Sequence, residues 1–230
     1  MLKAILFDLD NTLVNFWEFK QASAKEAARA MTEAGLQMEP ERCEKLIFSV
    51  YEQFGIEYQL TFSELLKPFK FEKEKFERIR NAAITAYLQS KAKVLKPYDG
   101  VPQMLAELGK DYRLAVLTDA PRSQAHQRLE FTGLQAYFCE VGTFHDTSIY
   151  KPGAEPFLHI CKKLGIDPPE ALMVGDNPRR DISGAKKVGM HTCLAKYGQV
   201  FEDDGTAADF EINKPDELAG LVERIKKKEK

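Results

Sequence analysis

Residues 3–12 read Lys3-Ala4-Ile5-Leu6-Phe7-Asp8-Leu9-Asp10-Asn11-Thr12. Four consecutive apolar residues run straight into two aspartates separated by one leucine. An apolar run with no polar alternation is the pattern of a short strand buried on both faces, as in a parallel sheet. In open parallel sheets, ligands bind beyond the carboxyl ends of the strands. Asp8 and Asp10 therefore stand where such a sheet does its chemistry.

Working outward, the same pattern recurs. Leu114-Ala115-Val116-Leu117, Phe138-Cys139-Glu140-Val141, Ala171-Leu172-Met173-Val174 and Thr192-Cys193-Leu194-Ala195 are further short, mostly apolar runs. A last strand is predicted near Phe210–Ile212. Between them lie amphipathic stretches at Pro102–Leu108, Ser123–Phe131, Glu155–Leu164 and Ile182–Val188, with a closing helix over Pro215–Lys226. Strands alternating with helices predict an α/β fold, a doubly wound, mostly parallel sheet with helices on both faces.

One stretch breaks the alternation. From Phe16 to Lys93 no strand pattern occurs. Phe19–Ala34, Glu41–Phe54, Phe62–Leu66 and Phe71–Ala92 read as helices, punctuated by Gly35, Pro40, Gly55 and Pro68. The pattern predicts a core domain made of residues 1–15 and 94–230, with a helical subdomain at 16–93 inserted after the first strand. Pro97-Tyr98-Asp99-Gly100 marks the return.

The chain has 230 residues, 44% hydrophobic and 30% charged, with a net charge of −2. That balance argues against a nucleic-acid binder, which needs a basic surplus to meet the phosphate backbone. The run Lys226-Lys227-Lys228-Glu229-Lys230 reads as a solvated tail. Cys43, Cys139, Cys161 and Cys193 form no CxxC pair and have no histidine at zinc-site spacing, so they read as free, mostly buried thiols. No leader pattern opens the chain, and no apolar run approaches the roughly 20 residues of a membrane helix. A cytoplasmic protein is expected, as a monomer or small homo-oligomer.

The residues after each apolar run are informative together. Thr118, Asp119 and Ala120 follow the second run, and Gly175, Asp176 and Asn177 follow Ala171–Val174, with Asp181 close behind. Lys151-Pro152 precedes the helix that starts near Gly153. Singly, each has an ordinary use: a loop DxD is solvated, Thr118 caps a helix, Lys151 is a surface charge, and Asp181 favours a helix N-terminus. Jointly they gather on one sheet edge. Carboxylates about 4 Å apart repel by roughly 1–4 kcal/mol, and a hard cation removes that penalty. An all-oxygen donor set suits Mg²⁺. A hydroxyl, backbone N–H groups and a fixed lysine can hold a phosphoryl group, and an aspartate can attack it.

These segments resemble the motifs of the haloacid dehalogenase-like hydrolase superfamily, whose members are mostly phosphatases. DxDxT stands as Asp8-Leu9-Asp10-Asn11-Thr12, the strand-ending threonine as Leu117-Thr118-Asp119-Ala120, the lysine as Lys151-Pro152, and GDxxxxD as Gly175-Asp176-Asn177-Pro178-Arg179-Arg180-Asp181. The resemblance implies a Mg²⁺-dependent hydrolase of a small phosphorylated metabolite. In it Asp8 attacks phosphorus and Asp10 serves as acid and then base. Asp8, the Asp10 carbonyl and Asp176 ligate the metal. Thr118, the amides of Asp119 and Ala120, and Lys151 bind the phosphoryl group, while Asp181 and Asn177 support from behind. Residues 16–93 correspond to the family's cap, which closes over the site and excludes water. Asn15, Phe16 and Trp17 lie at its entry and either line the pocket or pack the cap against the core. Many relatives read Thr-Asn-Gly where this chain has Thr118-Asp119-Ala120, so a different local loop is expected.

Three other functions use related parts. A 2-haloacid dehalogenase keeps the nucleophile but needs neither Asp10 nor the metal. A phosphomutase returns the phosphoryl group to a substrate. A phospho-receiver switch has Asp, Thr and Lys at strand ends, but is half this length and lacks the insert.

Overall fold

A computed structural model describes residues 1–200 and 205–228. The chain divides into two compact units, one of residues 1–15 and 96–230 and one of residues 16–95.

The first unit is built on six strands: β1 (Ala4–Phe7), β2 (Arg113–Leu117), β3 (Glu140–Gly142), β4 (Ala171–Gly175), β5 (His191–Ala195) and β6 (Phe210–Ile212). All pair in parallel, in the order β3-β2-β1-β4-β5-β6. The apolar runs explain this arrangement. Every residue of β1 and β4 is buried, which only a strand covered on both faces requires. Phe7 pairs with Val116 on one side and Val174 on the other, so the ends of β1, β2 and β4 are level. Strand order reverses at β1, which is the switch point where open sheets form a ligand crevice.

Helices cover the sheet. The second unit consists of α1 (Phe16–Glu33), α2 (Pro40–Phe54), α3 (Thr61–Leu66) and α4 (Lys73–Val94). The first unit carries α5 (Val101–Leu108), α6 (Arg122–Phe131), α7 (Phe144–Thr147), α8 (Ala154–Leu164), α9 (Ser183–Lys187) and α10 (Glu217–Lys228). Side chains alternate across β1, so Ala4 and Leu6 share one face. They pack with Ala115, Leu117 and Met173 against Phe157, Ile160 and Leu164 of α8. On the opposite face Phe7 meets Phe138 edge-on at 6.2 Å. Phe138 was expected inside a strand; it lies just outside β3, which begins at Glu140.

In the second unit, Ala24, Ala27, Ala28 and Met31 of α1 fall at helical spacing and are buried against Cys43 and Ile47 of α2, Leu65 and Leu66 of α3, and Ile79 and Ala83 of α4. This is an independent apolar core. Phe16 packs edge-on to Phe19 at 5.4 Å and Trp17 lies 5.8 Å from Phe48.

The points where the chain leaves and re-enters the first unit are tied together. Val14 bridges Pro97 in antiparallel fashion, Asn15 N–H donates to the Lys96 carbonyl, and Lys96 N–H donates to Asn15 Oδ1 at 2.9 Å. Closing the two ends with backbone hydrogen bonds lets 80 residues be inserted without opening the sheet. Asn15 thus serves as a clasp of the first unit.

Cys43, Cys161 and Cys193 are buried and free, whereas Cys139 is exposed and donates weakly to the Leu114 carbonyl. Among the described residues no helix is long and apolar enough to cross a membrane. The end of the lysine-rich terminus, Glu229 and Lys230, falls outside the described residues.

Candidate active site

The turn after β1 is tight. Asp8 N–H donates to the Val174 carbonyl, Leu13 N–H and Val14 N–H return to the Leu9 carbonyl, and Asn11 takes a positive φ of 61°. Asparagine tolerates that left-handed conformation better than most residues. The turn projects Asp8 forward and brings Thr12 beneath β4. Thr12 Oγ1 accepts the Asp176 N–H at 3.0 Å and donates to Asp176 Oδ1 at 3.4 Å. The threonine of the DxDxT segment therefore joins the first and fourth motifs.

Lys151 is fully enclosed. Its ammonium donates to Asp8 Oδ1 and Asp181 Oδ1, both at 2.6 Å, and to the Leu117 carbonyl at 2.9 Å. Three acceptors satisfy all three ammonium protons. Burial alone would lower the lysine's pKa, but Asp181 and Asp8 outweigh it and hold the group protonated, well above its ordinary value. The Lys151-Pro152 peptide is cis.

The carboxylates show the opposite stress. Burial pushes Asp8 up to about 8, against the pull of Lys151 and with the push of Asp181 and Asp10. Asp176 is raised by burial first, then by Asp8 and Asp181. Asp181 is raised by burial, although Lys151 and the Asn177 N–H oppose it. Asp8, Asp176 and Asp181 each offer an oxygen within 4.8 Å of the others. Asp176 Oδ2 is buried with no hydrogen-bond partner among the described residues. Buried acceptors without donors are costly, and an all-oxygen cluster with one orphaned oxygen fits a hard divalent cation. The carboxylate triad is completed by Asp181, whereas the side chain of Asp10 points elsewhere, to Arg128. The resemblance placed Asp181 in support and took the backbone carbonyl of Asp10, not its side chain, as a ligand, so the pairing with Arg128 does not bear on that assignment.

The remaining predicted residues have definite partners. Thr118 is buried at the end of β2, and its Oγ1 accepts the Ala120 N–H at 3.1 Å. The Ala120 amide, expected to face a phosphoryl group, is thus engaged within its own turn. Asp119 Oδ1 accepts the Lys151 N–H at 2.9 Å and its Oδ2 meets Arg180 at 3.3 Å. Asp119 thus braces the Lys151 backbone. Asn177 Oδ1 accepts the Arg180 N–H, and its own N–H donates to Asp181 Oδ2. At Gly175 a Cβ would overlap the Asp181 carboxylate, which explains the glycine in GDxxxxD.

A model of the haloacid dehalogenase-like hydrolase family matches residues 5–195. The chain belongs to that family. Among haloacid dehalogenase-like relatives it is similar to the glyceraldehyde 3-phosphate phosphatase of Methanopyrus kandleri, at 30% identity covering 99% of this chain and 100% of that one. It is similar also to the glyceraldehyde 3-phosphate phosphatase of Methanocaldococcus jannaschii, at 31% identity with 99% and 100% covered. A solved structure of a phosphatase of this superfamily from Thermococcus onnurineus superposes with a TM-score of 0.71 at 25% identity, covering 96% of this chain and 98% of that one.

Three residues around the site escape the motif pattern. Arg128 pairs with Asp10. Tyr197 O–H donates to the Thr12 carbonyl at 2.8 Å. Gly198 lies so close to Asn11 that a Cβ would overlap its carbonyl. Only Arg128 had a local signal: Ala125, Arg128 and Leu129 share one helical stripe, an odd place for a charge.

Proposed function

We propose that the chain is a Mg²⁺-dependent phosphomonoester hydrolase acting on a small phosphorylated metabolite through an aspartyl-phosphate on Asp8. The observation that supports it is the buried cluster in which Lys151 clasps Asp8 and Asp181 while Asp176 keeps an unpartnered oxygen. In this reading Asp8, the Asp10 carbonyl and Asp176 hold Mg²⁺. The bound ion would neutralise carboxylate repulsion and polarise the phosphoryl oxygens.

An Asp8 oxygen attacks phosphorus as the bond to the leaving group breaks, and Asp10 gives its proton to the departing alkoxide oxygen. Asp10, now ionised, takes a proton from water, whose oxygen displaces Asp8 and releases inorganic phosphate. Thr118, already accepting from Ala120, has its hydroxyl proton available for a phosphoryl oxygen. Lys151 counters the charge on the transferring group. Residues 16–93 act as the cap that selects the substrate. Glyceraldehyde 3-phosphate is the first substrate to test, given the names of the relatives.

The test is phosphate release from a panel of phosphorylated metabolites, with Mg²⁺ or with a chelator. Mg²⁺-dependent release that disappears in Asp8→Asn, with circular dichroism unchanged, is expected. Metal-independent turnover of a 2-haloacid, or transfer yielding a phosphorylated isomer in place of free phosphate, would replace this reading.

A further inference from the structure

The helical turn Pro178–Ile182 follows β4 directly. Asn177 Oδ1 accepts the Arg180 N–H at 3.1 Å, which fixes the backbone from which the Arg180 side chain departs. Arg180 Nη1 then reaches Asp119 Oδ2 at 3.3 Å, across 61 residues of sequence. Asp119 is held at its other oxygen, where Oδ1 accepts the Lys151 N–H at 2.9 Å. Its side chain is 16% exposed, against 55% for Arg180. The carboxylate is thus fixed beside the turn after β2, and the arginine meets it from the more exposed side. An asparagine oxygen could accept from the Lys151 N–H and carry no charge. Here the charge is present and reaches inward, since Asp119 is among the groups that raise the pKa values of Lys151 and Asp181. A half-exposed ion pair contributes little to stability, so its effect is to be sought in the local charge.

We propose that Arg180 neutralises the Asp119 carboxylate, and so lets a phosphoryl dianion bind a turn that carries a negative charge of its own. The proposal rests on the reading of Thr118 and the Asp119 amide as phosphoryl contacts. Two carbons separate an aspartate's amide nitrogen from its carboxylate carbon. An oxygen held by the Asp119 amide would lie within roughly 7 Å of that carbon. This is inside the screening length of about 8 Å at physiological salt, so a bare carboxylate would repel the incoming dianion. Lys151 is poorly placed to offset it, because its ammonium is already shared between Asp8 and Asp181. Arginine stays protonated throughout the working pH range, so the compensation is constant. Arg180 acts through Asp119 on binding, before any bond to phosphorus breaks. Arg179 supplies an internal comparison: it is exposed, carries the same charge, and forms no ion pair among the described residues.

The test measures KM and kcat for p-nitrophenyl phosphate and the inhibition constant of inorganic phosphate, with Mg²⁺ present throughout. In Arg180→Met, KM and the inhibition constant are expected to rise roughly 5- to 10-fold, while kcat changes less than about twofold. Arg179→Met should move all three less than about twofold. The Arg180→Met loss should shrink in about 0.5 M KCl, where the repulsion is screened. Asp119→Asn removes the charge and keeps an acceptor for the Lys151 N–H, so it should bind phosphate roughly threefold tighter than wild type. Asp119→Asn combined with Arg180→Met should return the inhibition constant to within about twofold of wild type. Equal losses in Arg179→Met and Arg180→Met, a loss confined to kcat, or a double variant no better than Arg180→Met would each overturn the proposal. Should Arg180→Met fail to fold, Asp119→Asn decides: tighter phosphate inhibition supports neutralisation, and unchanged or weaker inhibition overturns it. If the wild-type enzyme hydrolyses no phosphate ester, the phosphatase reading falls and this proposal with it. Hydrolysis by wild type beside an unaffected Arg180→Met sinks this proposal alone.

Discussion

Lys151 Nζ stands 2.6 Å from Asp181 Oδ1, and both side chains are sealed from solvent. The pair fixes where the ammonium sits before it reaches Asp8, also at 2.6 Å. Asp181 is held in turn by the Asn177 N–H. A chain of buried hydrogen bonds thus runs from the turn after β4 to the end of β1.

Removing the cation should expose this dependence. Lys151→Met leaves Asp8, Asp176 and Asp181 buried together. Deleting one partner of a buried ion pair costs about 3–5 kcal/mol. Thermal unfolding is expected to shift down accordingly, with part of the loss recovered by Mg²⁺. An unchanged unfolding temperature would mean that the cluster relaxes by another route.

The glycine beside the turn makes a sharper prediction. In Gly198→Ala the new methyl meets the Asn11 carbonyl, so the turn carrying Asp8 and Asp10 must move. Turnover should drop on the order of 100-fold, because displacement of reacting groups by about 1 Å has that effect. Tyr197→Phe removes a single hydrogen bond to Thr12, worth about 1 kcal/mol, and leaves the backbone path intact. Measured kcat should therefore rank wild type, Tyr197→Phe, then Gly198→Ala; a Gly198→Ala enzyme as active as wild type would contradict the close approach.

Cation binding and pH should be linked. Asp8 is raised from 3.8 to about 8, burial being the main cause. Between those values the folded state holds more protons than the unfolded one, so stability without a divalent cation falls as pH rises through the window. A cation that binds ionised carboxylates displaces those protons. The rise in melting temperature caused by Mg²⁺ should thus be larger at about pH 8 than at about pH 5. A Mg²⁺ effect independent of pH would count against carboxylate ligation.

Asp209 should behave in the opposite sense. Burial works against its charge, but the Thr192 hydroxyl and N–H and the Lys186 ammonium hold its pKa below 3.8. Its contribution to stability is present above the ordinary value and is lost as pH falls through the lowered one. Asp209→Asn should be less stable than wild type near neutrality, and the two melting curves should converge under acid. A constant difference across that range would show that hydrogen bonding alone, without charge, is involved.

Much of this could be read along the chain because the information is local. Apolar runs of four residues pointed to five of the strands, since strands covered on both faces are mostly apolar. Polar residues following those runs marked the crevice edge, since parallel strands all end on the same side. The helical insert was visible from its change of periodicity at Phe16. Asp8, Asp176 and Lys151 were accessible for the same reason: each sits next to an element that sequence pattern alone identifies.

Tertiary structure decided what depends on contacts between distant segments. The pairing of Arg128 with Asp10, the packing of Gly198 on Asn11, and the completion of the carboxylate triad by Asp181 join residues far apart in sequence. Neither periodicity nor propensity carries such distances, because both describe a residue and its near neighbours. The order of the amino acids determined which side chains stand at the strand ends. Packing of the sheet and its helices determined which of those side chains are dry and which are paired.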